Sequence, residues 1–114
     1  MKYVIAIIQP HKLEDVRDAL IAIDITSLTA AEVRRFGTSE EHREFFRAVE
    51  QKVGFMPKVR IEFAVSDEIV DRAIEAVSKA ATTGSIGDGR IYVLELARTV
   101  QIKSGKVDAE VLEL

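Results

Sequence analysis

The 114-residue chain has no cysteine, no tryptophan and no asparagine, and only 2 prolines. Without cysteine there is no disulfide framework, no thiolate metal site and no thiol nucleophile. That composition suits a reducing compartment, and the cytoplasm is the expected location. No apolar run approaches the ~20 residues of a membrane span. The opening run over residues 1–8 is too short for a secretory signal. It gives way to Gln9-Pro10-His11-Lys12 without a small-residue cleavage site, so no export signal is expected. Positive charge is not in excess either: the net charge is −3, and no basic stripe interleaved with aromatics argues for nucleic-acid binding. No Ser/His/Asp spacing marks a catalytic triad.

What is present is a core-forming sequence. Apolar residues make up 47%, far above the share of a disordered chain, and the length fits one domain over residues 1–114. A chain of this size buries roughly two-thirds of its unfolded surface around one core. Residues 3–8 form a β-branched apolar run stopped by Pro10, which reads as a buried strand. Over residues 12–23 the period changes. Leu13, Val16, Leu20 and Ile23 recur at three- and four-residue steps between charged positions, predicting an amphipathic helix with acidic residues near its N-terminus.

Residues 27–36 read as a second strand and residues 58–65 as a third, with Val59, Ile61 and Phe63 alternating against Lys58, Arg60 and Glu62. A second helix is expected to open at Ser66 as N-cap and to carry Ile69, Ala73, Ala76 and Val77 on its buried stripe. Gly84 is expected as its left-handed C-cap. Residues 90–96 read as the last strand. Two similar halves result, residues 7–20 echoing residues 63–74. The order predicts an α+β, ferredoxin-like βαββαβ sandwich: one antiparallel sheet with two helices on one face. Because the strands are apolar at nearly every position, the other sheet face is expected to be buried by oligomerisation.

Two segments fall outside this pattern. Residues 37–54 break both periods, with a charged run at residues 40–44 and the isolated pair Phe45-Phe46. A loop this long inside a compact domain is more often functional than not, and a helix over residues 40–53 competes with that reading. The second segment is Thr83-Gly84-Ser85-Ile86-Gly87-Asp88-Gly89-Arg90. Its three glycines let backbone N–H groups converge on an anion, and Arg90 adds charge-assisted bonds to phosphate. An ordinary helix-to-strand turn is the plainer alternative. It is not a Walker motif, because it leaves a helix and enters a strand. His11 and His42 read as solvated loop residues, and Glu40, Glu41 and Glu44 as a solvated charged run, so no metal site is expected.

Ile7-Ile8-x-Pro10-x-Lys12-Leu13, Thr29-x-x-Glu32-Val33, Phe55-Met56-Pro57-Lys58-Val59 and above all Thr83-Gly84-x-Ile86-Gly87-Asp88-Gly89-Arg90-Ile91 resemble the PII signal-transduction family. The resemblance covers nearly the whole chain. It implies a homotrimer with nucleotide sites between subunits, a T-loop (residues 37–56) that reaches partner proteins, a B-loop (residues 82–90) and a C-terminal segment (residues 98–114). It implies ATP and ADP as ligands, with AMP as a further candidate and the use of Mg²⁺ left open. Ile7, Thr29, Glu62 and Ala64 fall where the family lines the adenosine pocket. Gly87, Asp88, Gly89 and Arg90 fall where it cradles phosphates, with Thr83 and Ile86 in the same loop. Arg35, Phe36, Gly37 and Thr38 stand at the T-loop entrance beside the nucleotide. Lys58 matches a lysine that meets the γ-phosphate or a 2-oxoglutarate carboxylate. Gln101 and Lys103 stand where the neighbouring subunit supplies arginines. Glu44, Phe45, Phe46, Arg47 and Gln51 fall among T-loop partner contacts, the implied partner being a membrane transporter or a metabolic enzyme.

The departures matter as well. Arg35 stands where the family usually has glycine, and Arg90 replaces a lysine. Thr38 and Ser39 replace an Arg-Gln pair whose glutamine helps hold the Mg²⁺ that chelates 2-oxoglutarate, which implies a weakened response to that metabolite. Gln51 occupies the position of a tyrosine that many members uridylylate, and it has no hydroxyl to modify; Phe46 replaces another tyrosine. Gln101 replaces a phosphate-binding arginine, a loss of ~1–3 kcal/mol in triphosphate contact if nothing compensates. The implied protein acts by binding and not as an enzyme. The alternatives are a sensor of bicarbonate or a metal with nucleotide as co-ligand, a small ferredoxin-like phosphohydrolase, and a purely structural oligomer. The phosphohydrolase reading is weakened by the absence of asparagine.

Overall fold

In the computed structural model, which describes residues 1–37 and 54–112, β1 (Lys2–Ile8) runs through the middle of a four-stranded antiparallel sheet. Its neighbours are β3 (Phe55–Val65) and β4 (Gly89–Glu95), and β2 (Thr29–Phe36) lies outside β3, giving the order β2-β3-β1-β4. Helices α1 (Leu13–Ile21) and α2 (Val70–Ala81) supply the second layer, and a short α3 (Ala109–Leu112) ends the described chain. This is the expected ferredoxin-like α+β sandwich.

The core forms where the two periodicities meet. Val4, Ala6 and Ile8 of β1 and Val59, Ile61, Phe63 and Val65 of β3 point to the helices, which return Val16 and Leu20 from α1 and Val70, Ala73, Val77 and Ala81 from α2. The pairs Val4↔Phe63 and Ala6↔Ile61 fix a register in which a one-residue slip would turn all of these side chains to the other face. The opposite face carries Tyr3, Ile5 and Ile7 beside Glu62 and Arg60, with Tyr92 and Leu94 nearly half exposed.

Several boundaries differ from the sequence expectation. The first helix is preceded by a 3₁₀ turn at Pro10–Lys12 and stops at Ile21. Its end is a Schellman motif: Ile25 N–H donates to Leu20 O at 3.0 Å and Asp24 N–H to Ile21 O at 2.9 Å, with Asp24 at φ +65°. Ser66 does not cap α2 with its side chain. Its carbonyl accepts from Ile69 N–H at 3.1 Å in a separate turn, and the helix starts at Val70. Gly84 is not the C-cap either, since Thr82 holds that position in extended geometry. β3 begins at Phe55, so Phe55 and Met56, expected at the loop exit, pair with Phe36 and Arg35. Pro57 fits inside the strand because it lies beyond the end of β1, where β3 has a neighbour on one side only.

Candidate functional site

The loop between α2 and β4 is organised by one carboxylate. Asp88 accepts from Thr83 N–H at 2.8 Å, Gly84 N–H at 3.1 Å, and the hydroxyls of Thr82 at 3.2 Å and Thr83 at 2.6 Å. The Thr83 hydroxyl and N–H, followed by Thr82 and Gly84, hold this carboxyl below the usual carboxylate range, because each donor favours the charged form. Asp88 therefore shapes the loop from inside, and its oxygens are turned to the loop's own donors. Gly84, Gly87 and Gly89 have φ of +77°, +92° and +117°. At Gly89 a Cβ would lie 1.9 Å from the Ile7 carbonyl oxygen, so no other residue fits where β4 meets β1.

Lys58 is the most informative side chain. It is a charged residue only 2% exposed although it belongs to the open sheet face. Its ammonium donates to the Gly87 carbonyl at 3.1 Å, and the Gln9 amide donates to the same oxygen at 2.8 Å. A cavity of about 360 Å³ opens beside this point, lined by Ile7, Arg35, Lys58, Arg90, Tyr92 and the loop residues Ser85 to Gly89. Its volume lies at the lower end of the range for small-molecule sites. Three cationic side chains share it with a single carboxylate, Asp88, already engaged by the loop. The arrangement suits a polyanion, with glycine backbone on one wall and charge-assisted donors on the others.

Residues 1–106 match the family described as Nitrogen regulatory protein P-II. The chain is 49% identical over 112 residues to a nitrogen regulatory protein P-II of Rhizobium etli, covering 98% of this chain and 100% of that one. It is 50% identical, with the same coverage, to the nitrogen regulatory protein GlnK of Escherichia coli K12. The chain belongs to the P-II family. Among solved structures, a citrate-bound Arabidopsis thaliana PII superposes with a TM-score of 0.79 at 28% identity, covering 96% of this chain and 86% of the other.

Of the residues expected from the P-II resemblance, Ile7, Arg35, Lys58, Ile86, Gly87, Asp88, Gly89 and Arg90 line the one cavity. Thr83 stands at the root of the loop, held by Asp88. Thr29 and Glu62 are register partners further along the open face. There Glu62 accepts from the Tyr3 hydroxyl at 3.0 Å and pairs with Arg60 at 2.9 Å. Burial, then Glu62, pushes the Tyr3 phenol above its ordinary value. Ala64 and Gln101 line a separate cavity of about 430 Å³ with Thr99, Thr26 and α3 residues. Lys103 is exposed in the C-terminal turn, and Phe36 stacks at a tilt on Phe55 at 5.6 Å, next to Gly37. Thr38, Ser39, Glu44, Phe45, Phe46, Arg47 and Gln51 lie outside the described residues. Sequence reasoning missed Gln9 and Tyr92. Gln9 follows the β1 run directly before Pro10, a position read only as a strand end.

Among the described residues no His, Asp or Glu cluster has the geometry of a metal site, and no helix is long and apolar enough to cross a membrane.

Proposed function

We propose that this P-II protein is a homotrimeric regulator that binds ATP or ADP, with AMP as a further candidate, and signals to a partner protein through the loop at residues 37–56. The observation that carries the reading is the convergence of Lys58, Arg90 and Arg35 with the glycine-opened B-loop on one cavity. A phosphate chain in that cavity gains donors on several sides. Gly89 keeps β4 close against β1 beside the cavity, and Lys58 and Arg90 supply the countercharge.

The remaining expected contacts fit a site completed by a second subunit. Ile7, Glu62 and Thr29 lie along the open sheet face, the side proposed for adenosine, while Gln101 lines a different cavity of the same chain and Lys103 is exposed in the C-terminal hairpin; neither lines the phosphate cavity. A neighbouring copy would bring its hairpin instead and would cover Tyr92, Leu94 and Ile5. Among the described residues the cavity wall is built mainly of cations and glycine backbone, which favours binding over turnover as its proposed activity, and the cytoplasm is the proposed location. Signalling requires that each nucleotide favour a different population of the loop, since a ligand with equal affinity for both states shifts nothing. Mg²⁺, if it takes part, would supply further countercharge to the phosphate chain beside Lys58 and Arg90.

Calorimetric titration with ATP, ADP and AMP, each with and without Mg²⁺ and 2-oxoglutarate, tests this. Saturable binding of ATP or ADP that weakens at least several-fold in Arg90→Ala is expected. No heat with any nucleotide would overturn the function and leave the fold standing. A second reading, a small carboxylate or bicarbonate as co-ligand, draws on Arg35 as a third cation in the cavity. Adding citrate and bicarbonate to the same titration tests it.

A further inference from the structure

The Gly87 carbonyl accepts two side-chain hydrogen bonds, from Gln9 at 2.8 Å and from Lys58 at 3.1 Å. A carbonyl oxygen has two lone pairs, so these donors saturate it. A carbonyl only accepts, which fixes the Gln9 amide with its NH₂ toward Gly87. The two donors are not equivalent. Gln9 is neutral, makes the shorter bond, and does not line the cavity. Lys58 is charged, makes the longer bond, and lines the cavity into which an anion would go. An anion there offers the ammonium a stronger, charge-assisted bond than a peptide carbonyl does.

We propose that Gln9 is a positioning residue of this cavity: it keeps hold of the Gly87 carbonyl so that the Lys58 ammonium can turn to a ligand's phosphate while the loop stays in place. The proposal rests on the nucleotide reading above. With Gln9 present, the turn of Lys58 leaves Gly87 with its shorter bond intact and the peptide at residues 87–88 fixed. Without Gln9, Lys58 is the only donor to that oxygen among the described residues. Its departure would strip a part-buried carbonyl of both partners, a cost set against ligand binding. Gln9 thus raises affinity without touching the ligand, and its effect appears only when an anion competes for Lys58.

Gln9→Met keeps the length of the side chain and removes the donor. In the unliganded variant Lys58 still holds Gly87, so amide hydrogen exchange across residues 86–89 is expected to match the wild type. The ATP dissociation constant is expected to rise about fivefold, the scale of one lost hydrogen bond. With ATP bound at saturation, exchange across residues 86–89 should become faster in the variant than in the wild type. Gln9→Ala, measured the same way, should reproduce both changes and guards against a folding defect specific to methionine. Faster exchange already without ligand would show a purely structural tether and overturn the proposal, as would an unchanged dissociation constant. If the wild type itself binds no ATP, the nucleotide reading falls and takes this inference with it. Normal wild-type binding with an unaffected variant sinks the inference alone.

Discussion

In the B-loop, Asp88 gathers four hydrogen bonds from Thr82, Thr83 and Gly84 and leaves the loop wrapped around its own carboxylate. The C-terminal hairpin is also closed by an aspartate, yet far more sparingly. Among the described residues the Asp108 carboxylate accepts one bond, from Thr99 N–H at 3.1 Å, and the Asp108 N–H returns to Thr99 O at 2.9 Å, around the isolated bridge Val100↔Val107. The first turn faces a cationic cavity and is anchored to the sheet through Gly87. The second holds Ile102 100% exposed, with Val100 and Val107 also in water. The first turn satisfies its backbone and carboxylate within a single chain, with Ile86 its one exposed large apolar side chain. The other presents apolar side chains that no described residue covers, the pattern that the proposed packing on a second copy requires.

Gly89, where the B-loop enters the sheet, and Gly105 of the hairpin separate the two turns most sharply. Gly89→Ala forces a Cβ to 1.9 Å from the Ile7 carbonyl oxygen at φ +117°, against backbone in the sheet centre that cannot swing away. Chemical denaturation is expected to show a loss of roughly 3 kcal/mol or more, with nucleotide binding impaired in parallel. At Gly105, φ is +72° but nothing lies within 4 Å of the added atom. Gly105→Ala should cost only the left-handed backbone penalty, about 1 kcal/mol. Equal losses at the two positions would erase the distinction between a turn locked to the sheet and one standing free.

Much of this was legible in the sequence, and the exceptions have physical reasons. Val16 and Leu20, and Ala73 and Val77, announce two helix faces by spacing alone, and Val59, Ile61 and Phe63 announce a strand, because local periodicity and burial agree there. The loop Thr83–Arg90 was visible as glycine chemistry. Asp88's inward role was not, because a carboxylate in an anion-binding loop looks like a ligand contact until its donors are seen. The alternation of apolar and charged residues starts the third strand at residue 58; only the length of β1 shows that β3 runs on past it with one side open, where Pro57 fits. Asp24 hid a helix end usually signalled by glycine. Gln9 escaped because its partner lies 78 positions away in sequence. The C-terminal hairpin rests on a single bridge, too short for any period to register.

Asp88 offers an intermediate test of the B-loop's self-sufficiency. Its native pKa is lowered chiefly by the Thr83 hydroxyl and N–H, so on acidification the unfolded chain takes up the proton first. The stability it contributes is therefore present above the ordinary aspartate pKa of about 3.9 and is lost as pH falls through the lowered native value. Asp88→Ala is expected to cost about 1 kcal/mol at neutral pH, the scale of a lost helix cap, and to speed amide exchange at Thr83 and Gly84. Thermal melts of Asp88→Asn between pH 6 and 3, taken here as roughly the span of carboxylate titration, should show a shallower acid decline than the wild type. A parallel decline would mean that other carboxylates, Asp67 beside the N-terminal amine among them, carry the acid sensitivity.

The smallest effect on the folded chain belongs to Ile102, and there the comparison turns on assembly. Ile102 is wholly exposed, so in an isolated chain Ile102→Ser should change stability by no more than about 0.5 kcal/mol. If a neighbouring copy covers the hairpin, the same substitution removes an apolar side chain worth up to ~1.5–3 kcal/mol when fully buried. The loss would then appear at three equivalent contacts of a trimer. Sedimentation at falling protein concentration should show the variant dissociating where the wild type does not, while the melting of dissociated chains is unaltered. ATP affinity should fall together with assembly, because the proposed nucleotide contacts Gln101 and Lys103 ride on the same hairpin. An assembly as tight as the wild type would place the hairpin in water in the oligomer too, and would leave the B-loop cavity to bind its ligand from one chain alone.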